Sequence, residues 1–137
     1  MTELVIDTHA FIWIMNNDKT INNKIHGDIQ KICSSGFLLV SCVSIWEIAM
    51  LKSKKRVTFE QPLHQWIERA TAFPFVKIVD LSTAIILEGF QLPGNFHADP
   101  FDRMIVATAR VLGIPLLTRD QKILDYAEEF HIKAIKC

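Results

Sequence analysis

The chain has 137 residues, half of them hydrophobic and 22% charged, which is typical of one folded domain and excludes a disordered polyelectrolyte. Fifteen basic and fifteen acidic residues give a formal net charge of zero, so no global positive field favours nucleic acid, and such binding needs a local patch. We expect a single domain over residues 1–137.

Short apolar runs alternate with amphipathic stretches along the chain, a pattern that predicts buried parallel strands separated by helices. In the first half the predicted elements are, in order, a strand at 4–6, helices at 9–15 and 21–32, a strand at 37–40 and a helix over 44–51. Thr20 is expected to cap the helix at 21–32, and Ser44 is expected to begin the helix after the second strand.

The second half continues this alternation, with proline, glycine and serine marking the helix boundaries. The predicted elements are a helix from Pro62, a strand at 75–79, a short helix capped by Ser82, a loop at 91–98, a helix at 100–112, a strand at 114–118, a helix at 121–130 and a short strand at 132–135. Because the crossovers are long, the strands should be parallel. We therefore predict an α/β fold, a three-layer α/β/α sandwich with a four- to five-stranded parallel sheet.

Five acidic residues fall at the carboxyl ends of these strands, where ligands bind in such folds. They are Asp7, Glu47, Asp99, Asp102 and Asp120. Carboxylates gathered without cations repel one another, and their pKa values rise. A hard divalent ion such as Mg²⁺ or Mn²⁺ removes that cost, and such ions can activate a water for phosphodiester cleavage. The sequence therefore predicts a metal site at this edge.

Each of these acids also has a purely structural interpretation. Residues 44–47 match a capping box, in which the glutamate bonds back to the start of its helix. Residues 99–102 match an N-cap, a proline at the first helical position and an acid in the first turn. Asp120 would be a third helix cap and Asp7 an Asx-turn residue. Capping uses one carboxylate oxygen, so it is compatible with metal binding.

Four blocks of sequence carry the acids, namely residues 4–10 (LVIDTHA), 44–48 (SIWEI), 97–103 (HADPFDR) and 117–120 (LTRD). In this order they resemble the PIN domain family and, more closely, the VapC-type toxins of bacterial toxin–antitoxin pairs. The resemblance covers nearly the whole chain. It implies a PIN-like fold and a Mg²⁺- or Mn²⁺-dependent endoribonuclease that cleaves RNA, is held inactive by a cognate antitoxin and is commonly a homodimer.

The resemblance also implies roles for individual residues. The catalytic residues would be Asp7, Glu47, Asp102 and Asp120, and the metal ligands would be these four together with Asp99. Asp7, Asp102 and Glu47 would hold one ion, with Asp99 and Asp120 acting through water or completing a second site. Thr118, Arg103, Arg119 and the basic cluster at 52–56 are candidates for substrate contacts. Arg103 has an alternative as an ion-pair partner of Asp99 or Asp102.

Several alternatives stay open from the sequence. A PIN-like protein that has lost turnover could bind RNA or protein only, and oxygen ligands alone do not decide between Mg²⁺ and Mn²⁺. His9 and His97 lie near the predicted site and are interpreted as structural histidines, and Trp13 as core or interface. The three cysteines lack metal-ligand spacing, and no secretory or membrane-spanning segment is apparent. We therefore expect a cytoplasmic protein.

Overall fold

The apolar runs form the strands of the computed structural model, which describes residues 2–137. These residues form strands β1 (Glu3–Ile6), β2 (Phe37–Ser41), β3 (Val76–Val79), β4 (Leu116–Thr118) and β5 (Ala134–Lys136). They also form helices α1 (Thr8–Met15), α2 (Asn23–Ser35), α3 (Cys42–Ser53), α4 (Leu63–Ala72), α5 (Thr83–Phe90), α6 (Pro100–Leu112) and α7 (Gln121–Glu128). Strands and helices alternate as the sequence predicts.

The strands form one parallel sheet in the order β3-β2-β1-β4-β5. From β1 the chain builds outward to β2 and β3 on one side and to β4 and β5 on the other, so the strand order reverses beside β1. Ile6 pairs with both Val40 and Leu117, and the Asp7 amide donates to the Leu117 carbonyl at 3.1 Å. This register brings the residues that follow β1 and β4 side by side.

Alternate residues of the central strands build two separate cores. Leu4 and Ile6 belong to a buried cluster with side chains of α1, α2 and α4, whereas Val5 belongs to a second cluster with side chains of α5, α6 and α7. Each face of the sheet is thus covered by helices, as a parallel sheet requires. The predicted three-layer α/β/α sandwich is confirmed, with five strands among the described residues.

The start of α2 differs from the prediction. Asn22, not Thr20, caps this helix, because the Asn22 side chain accepts a hydrogen bond from the Ile25 amide at 2.9 Å. The Thr20 hydroxyl instead donates to Asp18 at 2.5 Å, within the turn that precedes the helix. Asparagine and threonine are both good caps, and the one that the turn places next to the helix takes the role.

The start of α3 also differs, with a consequence for Glu47. Helix α3 follows β2 without a loop, and Ser41 caps it through the Val43 amide at 3.3 Å. Ser44 is therefore a buried residue inside the helix, where its hydroxyl accepts a hydrogen bond from Thr8 at 2.9 Å. The capping-box interpretation is wrong, and Glu47 lies in the second turn with no cap to satisfy.

Smaller differences concern element lengths. Strand β4 is shorter than the predicted 114–118, since Pro115 has no N–H to donate to a ladder. Helix α6 has the predicted bounds and ends at Gly113, which adopts the left-handed conformation with φ 66°. Within the described residues, no helix combines the length and the hydropathy needed to cross a membrane.

Gly36 and Gly27 give a matched test of the packing between α2 and the start of β1. A Cβ added at Gly36 would overlap the Thr2 carbonyl, whereas one added at Gly27, inside α2, would meet nothing within 4 Å. We expect Gly36→Ala to lower the free energy of unfolding by about 1–3 kcal/mol and Gly27→Ala to raise it by about 0.5–1 kcal/mol. Urea unfolding of both variants measures this, and equal effects of the two would contradict the described packing.

Candidate metal centre

A cavity of about 400 Å³ opens at the carboxyl edge of the sheet, where the strand order reverses beside β1. All five acids predicted from the sequence line it. The other lining residues are Thr8, His9, Trp13, Leu51, Arg56 and Arg119. The topology thus brings together carboxylates from α3, from α6 and its N-cap, and from the residues that follow β1 and β4, although they are separated by up to 113 positions in the chain.

Three of the acids cap helices that begin at this cavity. Asp7 caps α1 through the Ala10 amide at 2.9 Å, Asp99 caps α6 through the amide of Asp102 at 3.0 Å, and Asp120 caps α7 through the Lys122 amide at 2.8 Å. Each cap uses the Oδ1 atom only, so Oδ2 is not needed for capping. The positive ends of three helix dipoles favour the negative charge gathered here. The capping interpretation is confirmed for Asp99 and Asp120, whereas Asp7, interpreted as an Asx-turn residue, is a helix cap as well.

Asp7 is the most deeply held carboxylate. It is buried, and its Oδ2 atom accepts a hydrogen bond from the hydroxyl of Thr118, which is itself fully buried. Burial raises the pKa of Asp7, while the hydrogen bonds from Thr118 and Ala10 lower it. The predicted substrate contact at Thr118 is therefore corrected, because a fully buried hydroxyl does not reach RNA. Thr118 orients Asp7.

Glu47 and Asp102 differ from the capping acids because no helix cap engages their carboxylates. Glu47 is half-buried, and no hydrogen bond to its side chain forms within residues 2–137. Burial, and to a smaller extent the negative charges of Asp99, Asp120, Glu47 and Asp7, raise the pKa of Asp102 to about 7. The charges of all four other acids raise the pKa of Asp102, which indicates that the five acids share one site.

The residues present fit a hard divalent cation. Five carboxylates supply the oxygen ligands that Mg²⁺ and Mn²⁺ prefer, and a cation relieves the repulsion that raises the pKa of Asp102. Among residues 2–137, no three His, Cys, Asp or Glu side chains already stand in the arrangement that holds an ion. Binding therefore requires side-chain movement, and Glu47 and Asp102 are free of the caps that hold the other three.

The arginines near the acids have different tasks. Arg119 lines the cavity, donates to the carbonyls of Cys137 and Thr20, and lies over the Trp13 ring at 5.0 Å. Arg103 does not line it. Its guanidinium donates to the carbonyls of residues 89, 96 and 97 at 2.8–3.2 Å, and within the described residues it forms no ion pair with an acid. Arg103 therefore fixes the loop before α6, which corrects the ion-pair role considered for it.

Sequence reasoning did not place Trp13 in the cavity, and it named Arg56 only as part of a cluster of candidate substrate contacts. Trp13 was interpreted as core or interface, yet it is half-buried in the cavity wall beside His9, with ring centroids 5.8 Å apart. These two residues are four positions apart on α1, directly after Asp7, and that helical spacing could have placed both at the site. Arg56 was grouped with the basic cluster at 52–56, and no local signal separates it from its neighbours.

A parallel α/β fold with carboxylates gathered beside its central strand defines a class of proteins suited to divalent-metal chemistry. The family model described as PIN domain matches residues 4–129, so the chain belongs to the PIN domain family. Ribonuclease VapC22 of Mycobacterium tuberculosis is 27% identical over 123 residues, which cover 90% of this chain and 91% of that protein. The sequence resemblance to VapC-type proteins is confirmed as a similarity to this relative.

Solved structures share the fold at low sequence identity. DNA-bound VapBC from Salmonella typhimurium has a TM-score of 0.68 at 14% identity, covering 99% of this chain and 98% of that one. A toxin–antitoxin complex from Klebsiella pneumoniae has a TM-score of 0.63 at 20% identity, covering 96% and 95%. These similarities confirm the predicted PIN-like fold.

Asp102→Asn tests the electrostatics of the cavity without metal. Because the pKa of Asp102 rises from 3.8 to about 7 on folding, the folded chain binds a proton more tightly than the unfolded chain, and stability falls as the pH rises through this window. In EDTA at pH 8, we expect Asp102→Asn to raise the Tm by about 5 °C or more. At pH 4, close to the unfolded pKa of 3.8, most of the gain should be lost.

Asp80→Asn is the matched control, since Asp80 is exposed and does not line the cavity. Differential scanning calorimetry of both variants at the two pH values gives the comparison. A lower Tm for Asp102→Asn at pH 8, or the same shift for both variants, would contradict the described repulsion.

Proposed function

We propose that this protein is an endoribonuclease dependent on Mg²⁺ or Mn²⁺ that acts as the toxin of a toxin–antitoxin pair. The observation that carries the proposal is the cavity lined by five carboxylates, in which like charges contribute to the raised pKa of Asp102. The similarity to a protein named a ribonuclease and the membership of the PIN domain family support the same reaction class.

Bound among these acids, a divalent ion would supply two things to the reaction, namely activation of a water molecule and neutralisation of charge on the leaving oxygen. In our proposal Asp7, Glu47 and Asp102 hold it, with Asp99 and Asp120 acting through water or at a second ion. Asp7 is the rigid member, because Thr118 and Ala10 hold both of its oxygens. A fixed ligand would set the position of the ion, and the uncapped Glu47 and Asp102 would complete its ligands.

Asp120 is proposed to accept the proton of the attacking water. Its Oδ1 atom caps α7, and its Oδ2 atom accepts no hydrogen bond within residues 2–137. The water oxygen bonds to phosphorus, the bond from phosphorus to the leaving sugar oxygen breaks, and the proton passes to the free carboxylate oxygen. The cap prevents the side chain from turning away during this transfer.

RNA phosphates are proposed to reach the acids along the basic side of the cavity. Arg56 and Arg119 line it, and Arg56 ends an exposed cluster that also contains Lys52, Lys54 and Lys55. Such a local patch supplies the attraction that the zero net charge of the chain does not. RNA affinity should therefore depend on salt concentration.

We propose that a cognate antitoxin holds the enzyme inactive in the cytoplasm and that the enzyme is a homodimer. The similarity to toxin–antitoxin complexes supports the antitoxin. Exposed apolar side chains on α3 and α5, with Trp46 at 65% and Phe90 at 75% exposure, support a surface that a second copy covers.

Cleavage of single-stranded RNA in Mn²⁺ tests the proposed reaction. We expect wild-type protein to cut the RNA, EDTA to stop cleavage, and Asp7→Asn to lower the rate at least about 100-fold, since even a residue that merely orients a ligand contributes roughly 10–100-fold. Asp80→Asn should cut at the wild-type rate. Cleavage that survives both EDTA and Asp7→Asn would contradict a metal-dependent nuclease, and RNA binding without cleavage would favour a catalytically silent PIN-like binding module.

A further inference from the structure

The loop before α6 places a histidine against Asp102, one of the two acids of the site that no helix cap engages. The His97 Nε2 atom lies 3.1 Å from the Asp102 Oδ2 atom, and both side chains are about four-fifths buried, with exposures of 22% and 19%. We propose that His97 is a positioning residue that donates from Nε2 to Asp102 and so directs the other carboxylate oxygen to the ion. The inference rests on the proposed function, because it assigns a role within that metal site.

The surroundings of His97 decide which of its nitrogens carries the proton. The Asp99 amide donates to the His97 Nδ1 atom at 3.4 Å, so Nδ1 is the acceptor and the proton of the neutral ring is on Nε2. The ring packs against Phe96 with centroids 4.4 Å apart, and Arg103 holds the His97 carbonyl at 3.2 Å. The imidazole is thus fixed in both place and tautomer.

The Nε2–H group lacks a satisfied hydrogen bond. It is buried and has no aligned partner among the described residues, although the Asp102 carboxylate is within ion-pair distance. A buried donor without a partner costs about 1–3 kcal/mol, so a small rotation of the carboxylate that completes this bond is favourable. The Asp102 carboxylate must also move to bind an ion, and His97 determines which of its two oxygens remains hydrogen-bonded to the imidazole.

A histidine donor on one oxygen makes Asp102 a ligand through the other oxygen alone. Groups that orient metal ligands in this way fix the direction of the coordinating lone pair and raise affinity. Without the donor, the carboxylate samples several orientations, and each ion that binds must first order it. The expected consequence is a weaker affinity for Mn²⁺ with an unchanged fold.

His97→Phe and His97→Gln form the decisive pair of variants. Phenylalanine keeps a ring beside Phe96 but removes the donor, whereas the glutamine amide offers an N–H donor near the position of Nε2. We expect His97→Phe to weaken Mn²⁺ binding roughly 10–100-fold in isothermal titration calorimetry and His97→Gln to recover most of the affinity. His64→Phe is the control, since His64 is exposed and lies outside the cavity.

The outcomes separate this inference from the proposed function. Wild-type affinity in His97→Phe would overturn the positioning role alone, whereas wild-type protein that binds no Mn²⁺ would overturn both. A long-range ¹H–¹⁵N spectrum of the metal-free protein adds a second readout that does not depend on any variant folding. We expect the His97 proton on Nε2, and a proton on Nδ1 of a neutral ring would overturn the inference.

Discussion

Repulsion among five carboxylates at one edge of the sheet is the constraint on which the rest of this structure depends. The parallel register beside β1 forces Asp7 and Asp120 into one cavity, and α3 and α6 add the other acids. The fold offsets the repulsion with the N-termini of three helices and with two arginines, Arg56 and Arg119. Burial and the remaining repulsion together raise the pKa of Asp102.

The acids divide into a rigid and an adaptable group. Hydrogen bonds hold both oxygens of Asp7, and caps hold one oxygen each of Asp99 and Asp120. Glu47 and Asp102 are not tied by caps, and Asp102 has His97 beside it. Gathered carboxylates of this kind lower the stability of the chain, and a cation that bound them would raise it. The arrangement of the five acids therefore depends on their charges as much as on how their side chains pack.

The layers and the acids were predictable, because each depends on local sequence. Apolar runs, Pro100 and Gly113 give the strands and the bounds of α6. The errors involve contacts between distant segments. Ser44 is buried where it contacts Thr8, which is 36 positions away in the chain. Arg103 donates to backbone carbonyls whose positions no local sequence pattern reveals. Neighbouring polar residues also compete to cap a helix, and the path of the turn in the folded chain decides which of them forms the cap.

The central claim is that this cavity binds a divalent cation, and its most direct test is a crystal soaked in Mn²⁺ with data collected at the manganese absorption edge. The account predicts an anomalous peak within coordination distance of Asp7 and Asp102, with Glu47 turned towards it. A well-diffracting crystal with no peak in the cavity, or with a peak only at unrelated surface carboxylates, would contradict the account.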